Sequence, residues 1–321
     1  MSEPIKHHYV PQGYLRFFAK HEQRKNRNIY WVSVYDKQSH KQYCKNISEI
    51  AAEKHYNRIT QTPLVEASLA GDPLYYEKKY TDIIEGEIPQ TIKNLMGICT
   101  LSTNKTKVLT PSLKHTLANL VVIQSLRTPN VRRYLWEVGR EPYDEIMATA
   151  RKLAIQIPNE EHRLDSLSRL DNLQYDHEFI KAEHLCLATD VNRISRYANI
   201  LISDHVWIIY RNGTQEPYIT SDIPVIFSST EENQVGFGLN GITQIKTIIS
   251  MPLTPHHLVA LYHKRNICGQ YLENFQDCCV LVDESGEDFI EKSNQLQLRN
   301  CWRQIYTHPD TGFGDICKNR F

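Results

Sequence analysis

At His205-Val206-Trp207-Ile208-Ile209-Tyr210-Arg211-Asn212-Gly213-Thr214 the hydrophobic period of the chain changes from helical to strand-like. Val206 to Tyr210 is a run of β-branched and aromatic residues, and Tyr218-Ile219-Thr220 is a shorter one. Between them stands Asn212-Gly213, a pair that tolerates the positive φ of a tight turn, so the stretch predicts two antiparallel strands joined as a hairpin. Downstream, Leu258-Val259-Ala260-Leu261-Tyr262 and Cys279-Val280-Leu281-Val282 predict further strands, and a terminal helix is expected near 285–301. Upstream, from about Leu74 to Ile202, the pattern is mostly helical. Tyr76, Tyr80, Ile83 and Ile84 share a face before Pro89 interrupts; Leu113, Leu117, Leu120, Val121 and Ile123 continue the period in a helix beginning near Ser112, after Thr110-Pro111. Helices over 131–156 and 176–202 are separated by a break at Ile157-Pro158-Asn159. Near the start, Ile29-Tyr30-Trp31-Val32-Ser33-Val34-Tyr35 predicts a strand closed by Asp36-Lys37.

The expected class is α+β: a helical middle region packed with a C-terminal, mainly antiparallel sheet and an N-terminal motif-bearing segment. Gly71-Asp72-Pro73 and His205 divide the chain into 1–72, 73–204 and 205–321, read as parts of one integrated globular unit. No internal repeat is present.

With 321 residues, 41% hydrophobic and 23% charged, the composition is that of a globular protein and argues against disorder. Lys plus Arg (37) equals Asp plus Glu (37), so net charge supplies no long-range attraction to nucleic acid or an anionic membrane, although a local basic face remains open. Eighteen tyrosines and 14 histidines carry polar atoms that need partners when buried, which points to a hydrogen-bonded core or cleft. The eight cysteines form no C-x-x-C pair and read as reduced thiols. No apolar stretch approaches the roughly 20 residues needed to span a bilayer, so a cytoplasmic location and no membrane partner are expected.

The run Lys6-His7-His8-Tyr9-Val10-Pro11-Gln12-Gly13-Tyr14-Leu15-Arg16-Phe17-Phe18-Ala19 resembles the opening of the bacterial family called domain of unknown function 4238. The resemblance continues through Gln124-Ser125-Leu126-Arg127-Thr128-Pro129, Thr220-Ser221-Asp222-Ile223-Pro224, Pro252-Leu253-Thr254-Pro255, Asn294, Arg303 and Tyr306. Gly13 departs from it, standing where the family carries a bulky aromatic. The resemblance implies a shared fold and a shared set of positions; it implies no substrate.

The residues themselves supply two readings. His7 and His8 are proton-transfer candidates or neutral nitrogen ligands, but neighbours in an extended chain point to opposite sides, so at most one faces a given site and the other packs. Gln124 and Arg127 lie at i and i+3 at a helix end, where a buried guanidinium demands an anionic partner: an internal carboxylate, or a bound phosphate or carboxylate. Asp222 either orients a histidine, binds a divalent metal or pairs with Arg127, or else forms a turn before Pro224. Asn294 is a helix cap or a ligand; Arg303 is a second anion ligand or a solvated charge. Arg132-Arg133 and Arg140 suggest a basic face, while Glu137, Glu141, Asp144 and Glu145 argue for a mixed surface. His-His-x-x-Pro also resembles the start of an HNH nuclease, yet Asn28 with His40, or Asn46 with His55, sits on no ββα pattern.

Convergence of His7 or His8, Gln124, Arg127 and Asp222 on one cleft predicts phosphodiester cleavage, as in a nuclease of a bacterial defence or toxin system acting on nucleic acid. The alternative is a noncatalytic interaction or sensor protein in which the same groups form a structural network.

Overall fold

A computed structural model describes residues 5–25, 27–59, 72, 74–80, 86–173, 175–229 and 241–313. The elements in chain order are β1 (Lys6–His8), α1 (Gln12–Leu15), β2 (Lys20–Arg24), β3 (Arg27–Asp36), β4 (Lys41–Asn46), β5 (Ala52–Lys54), α2 (Tyr75–Tyr80), α3 (Ile88–Leu101), β6 (Thr106–Lys107) and α4 (Pro111–Leu126). Then come α5 (Pro129–Val138), α6 (Arg140–Ile155), α7 (Glu160–Asp171), α8 (His177–Thr189), α9 (Val191–Asp204), β7 (His205–Asn212), β8 (Thr220–Ser221) and β9 (Ile226–Ser229). The last are β10 (Thr247–Thr254), β11 (His257–His263), α10 (Ile267–Leu272), β12 (Cys278–Val282), α11 (Glu287–Asn300) and β13 (Gln304–Thr307). The fold is α+β.

The larger sheet runs β6-β12-β7-β11-β10-β9, antiparallel except where β12 lies parallel to β7. Its period-2 pattern is used on both faces. Trp207 and Ile209 of β7, with Val259 and Leu261 of β11, join the main core, where Leu117 and Val121 of α4 and Leu201 of α9 also lie. Val206 and Ile208, with Ala260 and Tyr262, face the other way into a cluster completed by Cys268 and Leu272 of α10. A second sheet, β2-β3-β13-β8, also pairs β4 with β3. The main core draws Val10 and Phe18 from the N-terminal segment, the helical residues above, and Tyr306 from β13.

Helix starts follow side-chain chemistry: Thr110, Asn159, Asp176 and Asp190 each accept a backbone N–H from the first turn of α4, α7, α8 and α9. Asp190 thereby divides the helical stretch 176–202 in two. The stretch 131–156 is likewise divided, at Gly139, where the Tyr175 hydroxyl donates to the carbonyls of Leu135 (2.7 Å) and Trp136 (3.0 Å). A Cβ at position 139 would lie 2.6 Å from the Leu135 carbonyl oxygen. Pro89 opens α3, because a first-turn proline loses no helical hydrogen bond.

One expectation is overturned. Residues 206–220 do not form a hairpin: β7 pairs with β11 and β12, whereas β8 pairs with β13 in the other sheet. The Asn212 side chain accepts from Thr214 N–H (2.8 Å) and donates to the Glu216 carbonyl (2.6 Å), stabilising a wider loop that carries the chain between sheets. Gly71, Pro73, Ile83 and Ile84 lie outside the described residues. Every cysteine among the described residues is a free thiol, and none of the described helices is long and apolar enough to cross a membrane.

Candidate functional site

The motif segments meet in a buried seam of side-chain-to-backbone hydrogen bonds. Arg127, at the C-terminal end of α4, donates to the His8 carbonyl and lays its guanidinium 4.4 Å from the Tyr80 ring centroid. One turn back, Gln124 donates to the Tyr9 carbonyl at 3.0 Å. The i, i+3 pair therefore faces one target, the backbone of the opening motif. That motif is bound on its other side by Tyr14, whose hydroxyl lies 2.7 Å from Thr220 Oγ1 and donates to the Pro252 carbonyl at 2.5 Å.

His7 and His8 separate as alternation along a strand requires. His7 is fully buried, and its Nδ1 accepts the Asn57 N–H at 2.9 Å, with Glu77 Oε2 3.9 Å away. His8 is half-buried: Gln12 lies 3.4 Å from its Nδ1, while its Nε2 is enclosed without a hydrogen-bond partner. Burial lowers the His8 pKa to about 4, helped by the nearby charges of Arg127 and Lys6 and resisted by the backbone at Ile47 and Ser48. A third imidazole, His184 of α8, completes the seam: it bonds the Leu126 carbonyl through Nε2 (2.8 Å) and accepts from Arg132 Nε through Nδ1 (3.2 Å). Those contacts require the neutral form protonated on Nε2, and burial with the Arg132 charge lowers its pKa to about 3. Arg132 also stacks 3.7 Å from the Tyr56 ring centroid and donates to the Tyr56 carbonyl at 3.1 Å.

Asp222 has other partners. Fully buried, its carboxylate accepts three consecutive backbone N–H groups, from Trp302 (2.8 Å), Arg303 (2.7 Å) and Gln304 (2.8 Å). Burial pushes its pKa up to about 7 even against those donors. Asn294 is not a cap. It sits inside α11, accepting the Ile219 N–H (2.9 Å) and donating to the Pro217 carbonyl (2.8 Å). Gln297, on the same face, holds Ser221 Oγ (2.6 Å) and the Pro224 carbonyl (2.9 Å). Arg303 is half-exposed and donates through Nε to Asp36 at 2.6 Å. Although burial opposes it, Ser39 N–H, Gln304 and Arg303 hold the Asp36 carboxyl below the usual carboxylate range.

The fold thus brings His8, Gln124 and Arg127 together around the first motif and gives Asp222, Asn294 and Arg303 to the wall formed by the end of α11 and the start of β13. Tyr9 lies between the two groups: burial raises its pKa, and the charge of Asp222 adds to the rise. Tyr56, Tyr80, His184 and Gln297 were not legible as partners, since each meets its motif across a long sequence separation. The Asn28 and Asn46 side chains serve His21 and the Ser48 N–H, so neither Asn28–His40 nor Asn46–His55 forms a nuclease pair. No group of three or more His, Cys, Asp and Glu side chains among the described residues is placed to hold a metal ion.

Beside this seam opens a cleft of about 750 Å³ between α5, the end of α11, the segment 301–303 and the turn after β3. Among the described residues, Lys37, Arg133, Arg299 and Arg303 line it against a single lining carboxylate, Glu137. Trp302 stands in its wall, 40% exposed, with the Arg133 guanidinium 4.9 Å from its ring centroid. Thr128 and Pro129 begin the helix that carries Arg133, and Asp222 fixes the backbone of Trp302 and Arg303.

Fold and site define an α+β protein whose polar motifs are an internal frame around a cationic cleft. The chain belongs to the family described as protein of unknown function (DUF4238), whose model matches residues 6–311 of the 321. No curated protein and no solved structure matches it.

Proposed function

We propose that this protein is a noncatalytic interaction protein of the bacterial cytoplasm, whose motif residues act as a frame that holds a binding cleft in shape. The observation that carries this reading is the employment of the motif side chains. Gln124 and Arg127 donate to carbonyls of residues 8 and 9, Asp222 accepts three N–H groups, and Asn294 clamps residues 217–219. A proton-transfer residue must reach a reacting group at about 2.6–3.2 Å or through one water. His7 is enclosed and His8 has its Nε2 sealed from solvent, so neither is presented to a substrate as the chain stands. Buried polar networks of this kind specify packing, and their partial loss is costly.

The competing reading is a phosphodiester-cleaving hydrolase of a defence system, using a histidine of the opening motif. Wild type and a His7→Ala/His8→Ala variant, compared at matched folded content with single- and double-stranded nucleic acid, with and without divalent metal, separate the two. The frame reading expects a large loss of folded content in the variant and no cleavage attributable to either histidine. Cleavage by wild type that disappears in the folded fraction of the variant overturns it.

A further inference from the structure

We infer that the cleft between α5 and the end of α11 binds single-stranded nucleic acid, with phosphates on Lys37, Arg299 and Arg303 and a base against the Arg133–Trp302 stack. The inference rests on the binding-protein reading above and names its ligand class.

Among the described residues four cations and one carboxylate line this cleft, with Asp36 paired to Arg303 beneath it, although the whole chain has a net charge of zero. The excess is therefore local, and it is assembled from three parts of the sequence. Lys37 N–H donates to the Arg303 carbonyl at 2.8 Å, and Lys37 Nζ reaches the Arg299 carbonyl at 3.0 Å, so the backbone positions that carry the three cations are tied together. Asp36, almost fully buried beneath, anchors Arg303 through Nε and sets the direction of its guanidinium. Held cations of like sign repel one another, and a chain of phosphates relieves that repulsion while releasing counterions from the strand.

Charge alone would suit any polyanion; the aromatic groups narrow the class. Trp302 is 40% exposed in the cleft wall, and Arg133, itself 54% exposed, already stacks on it. A basic groove combined with an accessible aromatic ring is the means by which proteins hold single strands, because an unpaired base offers its π-face and a duplex hides it. The volume of about 750 Å³ falls within the range of about 300–1,000 Å³ typical of ligand sites. A mononucleotide would match the ring and only part of the four charges.

The test is fluorescence anisotropy of a labelled mixed-sequence 20-mer, as single-stranded RNA, single-stranded DNA and duplex, with the full-length protein, followed by a gel of the same samples. Wild type should prefer the single strands. Its affinity should fall with salt at a log–log slope near −2.1, about −0.7 for each of three phosphate contacts. An Arg133→Ala/Arg303→Ala variant should lose on the order of tenfold or more, and Trp302→Ala roughly fivefold or more. Glu137→Gln should bind a fewfold more tightly than wild type; this gain keeps the idea testable if a loss variant folds poorly. No binding, equal affinity in all the variants, preference for duplex, or equal competition by AMP at the concentration of the strand overturns the inference while leaving the frame reading in place. Cleavage of the oligonucleotide, lost with the histidines, overturns the frame reading instead.

Discussion

Three arginine–aromatic stacks, two in the seam and one in the cleft, are built from the same chemistry and put to opposite use. In the seam, Arg127 lies on Tyr80 and Arg132 on Tyr56, both turned inward onto backbone carbonyls at residues 8 and 56. In the cleft, Arg133 lies on Trp302 with half of its surface in water. A guanidinium stripped of water and held by carbonyls is strongly tied to one conformation, and its removal leaves acceptors stranded. A hydrated one contributes little to folding and keeps its charge available to a ligand. Burial, more than residue type, separates frame from binding surface.

The largest effect expected from breaking the frame is at Asp222. Asp222→Ala deprives three partly buried N–H groups of their acceptor at once, and at about 1–3 kcal/mol for each stranded group the loss is on the order of 4 kcal/mol. Asp222→Asn, which keeps one carbonyl oxygen, should lose less. Equilibrium urea unfolding measures both; an alanine variant within about 1 kcal/mol of wild type would break the frame interpretation. Arg127→Met comes next, at about 3 kcal/mol, because it removes the donor to the His8 carbonyl together with the stack on Tyr80. Arg132→Ala, which strips His184 Nδ1 and the Tyr56 carbonyl of a donor, should cost about 2 kcal/mol.

Acid distinguishes the regions further. His8, His205 and His257 have pKa values lowered to about 4, chiefly by burial, and His184 to about 3. In the unfolded chain each titrates near about 6.5, so between pH 6.5 and 4 the unfolded state binds more protons. The stability these groups contribute is present above pH 6.5 and is lost as the pH falls, by up to about 1.4 kcal/mol per pH unit for each proton taken up. Asp222 acts in the reverse sense: its pKa is raised to about 7, so its contribution is fully present below the unfolded value near 4 and is lost as the pH rises through 7. The histidines outnumber it, and the melting temperature should fall from pH 7 to pH 5, less steeply in His184→Gln. A melting temperature that is flat or rises over that interval contradicts the neutral buried imidazoles.

Much of the architecture was legible because period and capping are local. The strand ending at Asp36, the helix after Thr110-Pro111 and the strand at Leu258–Tyr262 all follow from residues within one element. The false hairpin at Asn212 shows the limit: an Asn-Gly pair permits a tight turn, but the pairing partner of residues 220–221 lies more than eighty positions downstream, in β13. Gly13 is of the same kind. Pro89 packs against it, with its Cγ 2.7 Å from where a Cβ would stand, a close approach invisible along the chain. The seam was reached only in part, since side-chain periodicity pointed Gln124 and Arg127 in one direction without revealing that their partners are main-chain carbonyls. The cleft was legible only in part: Arg133 and Arg303 stood out separately, but its cations come from positions 37, 133, 299 and 303, and nothing along the chain shows that they meet.

The smallest expected effect tests the comparison most sharply, because it concerns a sequence neighbour of a frame residue. Arg132 and Arg133 are adjacent on α5, where successive side chains point about 100° apart around the axis, so one turns into the seam and the other into the cleft. Arg133→Ala removes a half-exposed group that meets an exposed Glu137 at 3.6 Å and the Trp302 ring. Its unfolding free energy should stay within about 0.5 kcal/mol of wild type. The same substitution one residue earlier should be several times more damaging in the same urea titration. Equal losses at the two positions would mean that Arg133 belongs to the frame, and the cleft would then be a by-product of packing; unequal losses, with strand binding weakened only at 133, leave it as a surface held ready for a ligand.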